Sequence, residues 1–217
     1  MKNEPSSYLG GETGEEPPLR RRPAQRRSRE RVEKILNAAA ALIAEAGSDA
    51  LKMSEVAVRA GVPIGSLYQY FPDKSALIHA LSERYFAEGR QCVEDGLAGA
   101  DTPAALARAF EALVESYYAL FKQEPVLCDI RSGTLADRSL QAIDLADARA
   151  NGAILADAIA RVGAAADPET IRVEAVLIMH FGESTMRLAL QTGEPEGAAL
   201  VAAYKRMAVE RIARLTR

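Results

Sequence analysis

Apolar residues recur along most of this chain at three- and four-residue steps, the spacing of one face of an α-helix. Val32, Ile35, Leu36, Ala39, Leu42, Ile43 and Ala46 form the first such stripe, and Gly47 follows as a C-terminal cap. A short helix is predicted over 53–60, with Met53, Val56, Ala57 and Ala60 inward. The tight break Gly61-Val62-Pro63 follows, then a second short helix from Ile64 to Tyr70 that Pro72 ends. Asp73 can cap a fourth helix, carrying Leu77, Ile78, Leu81, Tyr85 and Phe86 inward. Longer helices are expected at 103–123 and 137–162, with a short helix and loop over 125–134 between them. Two more follow: one from Pro168, which suits a first turn, to Gln191, and one ending near Leu215. No strand pattern and no internal repeat competes with these stripes. The expected fold is all-α.

Composition agrees. The 217 residues are 48% hydrophobic and only 6% aromatic, with Ala prominent, which favours helices over sandwiches or barrels. No run of 18 apolar residues exists, so no membrane partner is expected, and no signal-peptide pattern opens the chain. Cys92 and Cys128 lie far apart, outside any C-x-x-C spacing, and are expected as core thiols in a reducing cytoplasm. The protein is expected to be cytoplasmic.

Charge adds an asymmetry. Residues 20–80 carry eleven Lys and Arg against six Asp and Glu, whereas 81–217 carry fifteen against twenty. A basic segment feeding an acidic remainder suggests a polyanion partner for the first part alone. Residues 1–27, rich in Gly and Pro with almost no apolar anchor, are read as a disordered arm. Arg20, Arg21, Arg22, Arg26, Arg27, Arg29 and Arg31 form a basic run leading into the first helix, as phosphate tracking or minor-groove entry would require.

Two short helices joined by a Gly-containing turn, with a basic arm upstream, have helix-turn-helix geometry. Gly61 permits the turn's backbone angles, Ala57 lets the helices cross closely, and Val62 and Leu67 plug the angle between them. Ile64, Gly65, Ser66 and Gln69 are left pointing outward.

The fuller string is more specific. Ile35-Leu36, Ala38-Ala39, Val56-Ala57 and Ala60-Gly61-Val62 lead to Gly65-Ser66-Leu67-Tyr68-Gln69-Tyr70-Phe71 and Asp73-Lys74-Ser75-Ala76-Leu77. This resembles the TetR family of repressors over about residues 29–81. The resemblance implies that Ile64, Gly65 and Ser66 start the recognition helix and approach base edges. It implies that Tyr68 and Tyr70 touch phosphates or a thymine methyl and that Lys74 pairs with phosphate. Lys52, Ser54 and Gln69 complete the DNA-binding set. Two departures stand out: Lys52 replaces the usual Thr, so Ser54 or Asp49 is expected to cap the second helix, and Pro63 replaces the usual Ser.

The expected organisation is an arm over 1–27, a helix-turn-helix domain over 28–75 and a helical effector-binding and dimerisation domain over 76–217. A single helix-turn-helix buries little surface, so specific binding calls for two half-sites and a homodimer on a palindromic operator. The last two helices are the candidate interface: residues 171–190 are apolar nearly all round, and Leu200, Val201, Tyr204, Met207, Ala208, Ile212 and Leu215 form one stripe. By resemblance, the middle helices form the pocket of a small, mostly apolar effector whose binding releases DNA. Phe110, Tyr117, Phe121, Arg131, Met179, His180 and Glu183 are its candidate residues.

An enzyme is not indicated: there is no P-loop, G-x-S-x-G, H-E-x-x-H or credible triad. No cofactor is expected and no metal, because His79 and His180 are far apart and no Cys/His cluster has ligand spacing. Asp137, Asp144 and Asp147 read as a solvated acidic helix face. A helical protein-interaction module, or a small-molecule-binding protein without an operator, is the competing reading, but neither needs the basic arm or an outward Ser66, Tyr68, Gln69 and Lys74.

Overall fold

The computed structural model describes residues 21–133 and 138–217, with side chains from residue 26 onward except at 125 and 131–139. Nine helices make up the described residues: α1 (Arg21–Ala46), α2 (Met53–Ala60), α3 (Ile64–Tyr70), α4 (Lys74–Ala98), α5 (Pro103–Gln123), α6 (Pro125–Gly133), α7 (Arg138–Gly163), α8 (Pro168–Thr192) and α9 (Glu196–Leu215). The expected all-α architecture is what the chain adopts. Extended pairing among the described residues is confined to one bridge, Ala164 to Thr216.

Helix ends follow their local chemistry. The Asp73 carboxylate accepts the Ala76 amide at 2.8 Å and caps α4. Thr102 and Asp167 do the same for α5 and α8, each followed by proline in the first turn. The expected cap of α2 is a correction: neither Ser54 nor Asp49 serves. Lys52 occupies the cap position with an extended backbone and no side-chain acceptor, and Ser54 already lies inside the helix. α1 begins at Arg21, earlier than the apolar stripe alone suggests, because 24–46 contains no helix breaker. The disordered arm expected over 1–27 is corrected at its end, where residues 21–27 belong to α1; residues 1–20 lie outside the described residues.

Two cores result. Ile35, Ala39, Val56, Leu67, Phe71, Leu77 and Leu81 are buried together near the N-terminus. Val93, Leu97, Leu106, Phe110, Leu155, Ile159, Ile178 and Ile212 anchor the larger C-terminal core. α4 runs unbroken past residue 75 and contributes Leu77 and Leu81 to the first core, Val93 and Leu97 to the second. α6 also crosses over: Val126 and Ile130 pack in the N-terminal core. Asp129 accepts from the Ser48 amide and hydroxyl, both at 2.6 Å, tying α6 to the α1–α2 turn.

Packing in the C-terminal half is close. A Cβ on Gly152 of α7 would lie 2.7 Å from the Val176 Cα of α8, so only glycine lets these helices cross at this distance. Two expectations are corrected here. Cys92 is exposed rather than in the core, and Cys128 is half-buried. Asp147 is 2% exposed rather than on a solvated face, because Arg90 of α4 reaches across to neutralise it. Asp137 lies outside the described residues.

Candidate nucleic-acid interface and interior cavity

The geometry of α2 and α3 begins at Gly61. Its φ of 65° is left-handed, which a side chain resists, and it lets the Val62 amide return to the Ala57 carbonyl at 3.0 Å. The chain then turns sharply into α3. Leu67 and Phe71 point inward, at 0% and 6% exposure, and fix which side of this two-turn rod faces out. Ile64, Gly65, Tyr68 and Gln69 are exposed on that outer side, while Ser66 and Tyr70 are half-buried. Beyond its chain neighbours and the backbone of its own helix, no atom of the described residues comes within 4 Å of where a Gly65 Cβ would sit, so the backbone there is open to an incoming surface.

α1 supports this face directly. The Arg31 guanidinium donates to the Ser66 hydroxyl at 3.2 Å, and the Ser28 hydroxyl donates to the Tyr70 oxygen at 3.2 Å. Exposed Arg26, Arg27 and Arg29 belong to the same helical turns. Lys74, at the start of α4, donates to the Asp49 carbonyl at 2.8 Å, which places its ammonium between the α1–α2 turn and the end of α3. Lys52 is exposed and pairs with Glu55 at 3.1 Å, and Ser54 is exposed on α2. Thus α3, the first turns of α1 and the start of α4 hold most of the expected DNA-binding residues together. The Arg31–Ser66 and Ser28–Tyr70 contacts were not foreseen, since they join positions 35 and 42 residues apart.

The second feature is interior. α4, α5, α7, α8 and α9 enclose a cavity of about 30 Å³, room for roughly a water or two. Of the expected effector residues, Phe110, Tyr117, Met179 and Glu183 line it. Phe121 does not: it is buried one helical turn away, its ring 4.9 Å from that of Tyr117. His180 also lies off the cavity wall, beside Phe181. The Arg131 side chain lies outside the described residues. Asn151, Met186 and Tyr204, not expected there from the sequence, also line it, beside Val93, Leu113, Val114 and Gly182. Burial pushes the Tyr204 phenol well above its usual range, so it keeps its proton, which it donates to the Ile178 carbonyl at 2.6 Å.

A third feature is a groove of about 630 Å³ between α8 and α9. Leu177, Phe181, Leu188 and Met207 line it and are all exposed, Met207 at 70%. Glu174 and Arg211 close one end, and the guanidinium's hydrogen bonds hold the Glu174 carboxyl below its ordinary range. Among the described residues, no helix is long and apolar enough to cross a membrane.

Known proteins match both halves. Residues 35–81 match the family profile "Bacterial regulatory proteins, tetR family", and residues 104–215 match "Tetracyclin repressor-like, C-terminal domain". The HTH-type transcriptional repressor KstR of Mycolicibacterium smegmatis is 43% identical over 58 residues, 27% of this chain and 28% of that protein. KstR of Rhodococcus jostii is 43% identical over the same length, with 27% of each chain covered. The chain therefore matches little more than a quarter of the length of these curated relatives. Among solved structures, a TetR-family regulator from Streptomyces coelicolor is 25% identical with a TM-score of 0.67, covering 85% of this chain and 98% of its own. FadR from Bacillus subtilis, solved with stearoyl-CoA, shares the fold at 17% identity and a TM-score of 0.61, covering 83% and 97%. With one profile spanning more than half of its length and another covering the helix-turn-helix, this chain belongs to the TetR family of bacterial transcriptional regulators.

Proposed function

We propose that this regulator is a cytoplasmic repressor that grips a palindromic operator as a homodimer and releases it when a small, mostly apolar effector enters the interior cavity. The observation that carries the reading is the two-sided character of α3, with Leu67 and Phe71 sealed in the core and Ile64, Gly65, Tyr68 and Gln69 exposed. A rod of this width, backed by a basic helix, fits the major groove of duplex DNA.

In this reading Ile64, Gly65, Ser66 and Gln69 meet base edges. Tyr68 and Tyr70 meet phosphate or a thymine methyl. Lys52, Ser54 and Lys74 meet the phosphate backbone, as do the arginines of α1. The apolar groove on α8 and α9 supports dimerisation, because an exposed row of Leu177, Phe181, Leu188 and Met207 gains most from a copy of itself. Two recognition helices then sit about 34 Å apart, one turn of DNA. The cavity supports the effector, since α4 lines the packing around it and also begins at the helix-turn-helix. That the same fold holds stearoyl-CoA in Bacillus subtilis FadR is consistent with an apolar ligand.

Footprinting on the DNA upstream of the chain's own reading frame, with affinity measured at several salt concentrations, tests the proposal. Affinity is expected to fall steeply with salt as phosphates are neutralised. Tyr68→Ala and Lys74→Ala should each weaken binding about tenfold while leaving the helical fold intact, and Lys74→Ala should lower the salt slope by about one. Flat titrations at low salt would overturn the reading.

A further inference from the structure

A buried amide on α7 narrows the chemistry of the effector, and this step rests on the proposed effector site. Asn151 is 5% exposed and lines the cavity. Its Nδ2 donates to Asp147 Oδ2 at 3.1 Å, and the other Asp147 oxygen accepts from Arg90 Nη1 of α4. A carboxylate held by a guanidinium can only accept, so the amide cannot be turned round: nitrogen faces Asp147 and oxygen faces away. That oxygen is buried and has no hydrogen-bond partner among the described residues.

No lysine, arginine or histidine is among the described residues that line the cavity. Glu183 of α8, 9% exposed, brings its carboxyl oxygens to the same cavity. The Tyr204 hydroxyl has its proton committed to the Ile178 carbonyl. Tyr117 also lines the cavity, with its hydroxyl beside Gly89 of α4, and the remaining surface is apolar, with Phe110, Val114, Met179 and Met186 prominent. A buried acceptor left unpaired favours any ligand that supplies a donor and gives no advantage to one that supplies another acceptor.

We propose that the effector is an apolar molecule bearing a hydroxyl or an amine, which donates to Asn151 Oδ1, and that carboxylates and ethers with the same tail are poor ligands. The cavity must grow to admit it, and Met179 and Met186 are the side chains suited to move, being unbranched and adaptable. Asp147 and Arg90 are positioning residues: they orient the amide and tie it to α4, so the donor's arrival is felt by the helix that begins at the DNA-binding half.

Calorimetric titration of the full chain with 1-octanol, octylamine, 1-methoxyoctane and octanoate tests this. The alcohol or the amine should bind at least about tenfold more tightly than the ether or the carboxylate, the scale of one donor to a buried acceptor. Comparing alcohol with amine decides which donor the site takes. Asn151→Leu should reduce the preferred donor to the ether's affinity without weakening the ether. An ether equal to both donors, octanoate as the tightest ligand, no binding by any of the four, or an Asn151→Leu variant that keeps the preference would each overturn the proposal. The unsubstituted protein's alcohol-to-ether and amine-to-ether ratios need no variant, so they decide even if Asn151→Leu fails to fold. Promoter binding by fluorescence anisotropy on the same preparation separates the two claims. DNA bound without donor preference removes only the effector chemistry, and no DNA binding removes the operator.

Discussion

Two exposed faces of this molecule differ in kind. On α3 the outward side is short, built of Ile64, Gly65, Tyr68 and Gln69, and flanked by the arginines of α1. On α8 and α9 it is long and apolar, with Phe181 55% and Met207 70% exposed. The first can present backbone and polar atoms to a charged, hydrated duplex without burying much oily surface. The second, apart from polar groups such as the Glu174–Arg211 pair at one end, gains chiefly by excluding water. The surface proposed to meet DNA and the surface proposed for self-association therefore sit at opposite levels of polarity on one chain.

The comparison breaks first, and most severely, at the apolar face. Leu177→Glu with Phe181→Glu should convert a dimer into a monomer in sedimentation velocity and weaken operator binding by about 100-fold or more, because the two half-sites no longer assist each other. A doubly substituted protein that still sediments as a dimer would show that another surface pairs the copies. A smaller effect is expected at the polar face. Gly65→Leu has open space for its side chain, so thermal stability should hold to within about 2 °C. Operator affinity should nevertheless fall about tenfold, since the new side chain stands where a groove floor would come. Unaltered affinity would remove the start of α3 from the contact. The smallest effect belongs to the turn that aims α3. Gly61→Ala forces a side chain into a left-handed backbone, which should cost about 1 kcal/mol and lower the melting temperature by about 2–4 °C. A melting curve that does not move would mean the turn relaxes without strain.

Legibility followed range. The α2–turn–α3 unit was readable because its signals are local: Val56 and Ala57 inward, Gly61 in the turn, Leu67 and Phe71 inward, Asp73 capping, all within about twenty residues. The interior cavity was half readable. Phe110, Tyr117, Met179 and Glu183 were expected from the resemblance to the TetR family, yet Phe121 falls off the wall one turn further along α5, and His180 is turned about 100° around α8 from Met179. Asp147 was misread as a surface acid. Its partner, Arg90, lies 57 residues earlier, and no periodicity records a pairing at that distance.

From its residues alone, then, this chain declared an all-helical fold, the boundaries of most helices, and a short third helix with one face sealed and one open. Those properties depend on propensity, capping and spacing within a few turns. Only the folded molecule decided that α6 joins the N-terminal core through Val126, Ile130 and Asp129, that Gly152 lets α7 meet α8 closely, and that Asn151 ends beside a cavity with its oxygen unpaired among the described residues. These follow from how rigid helices settle against one another, where shape and the need to pair every buried polar group choose among contacts that are equally possible on paper.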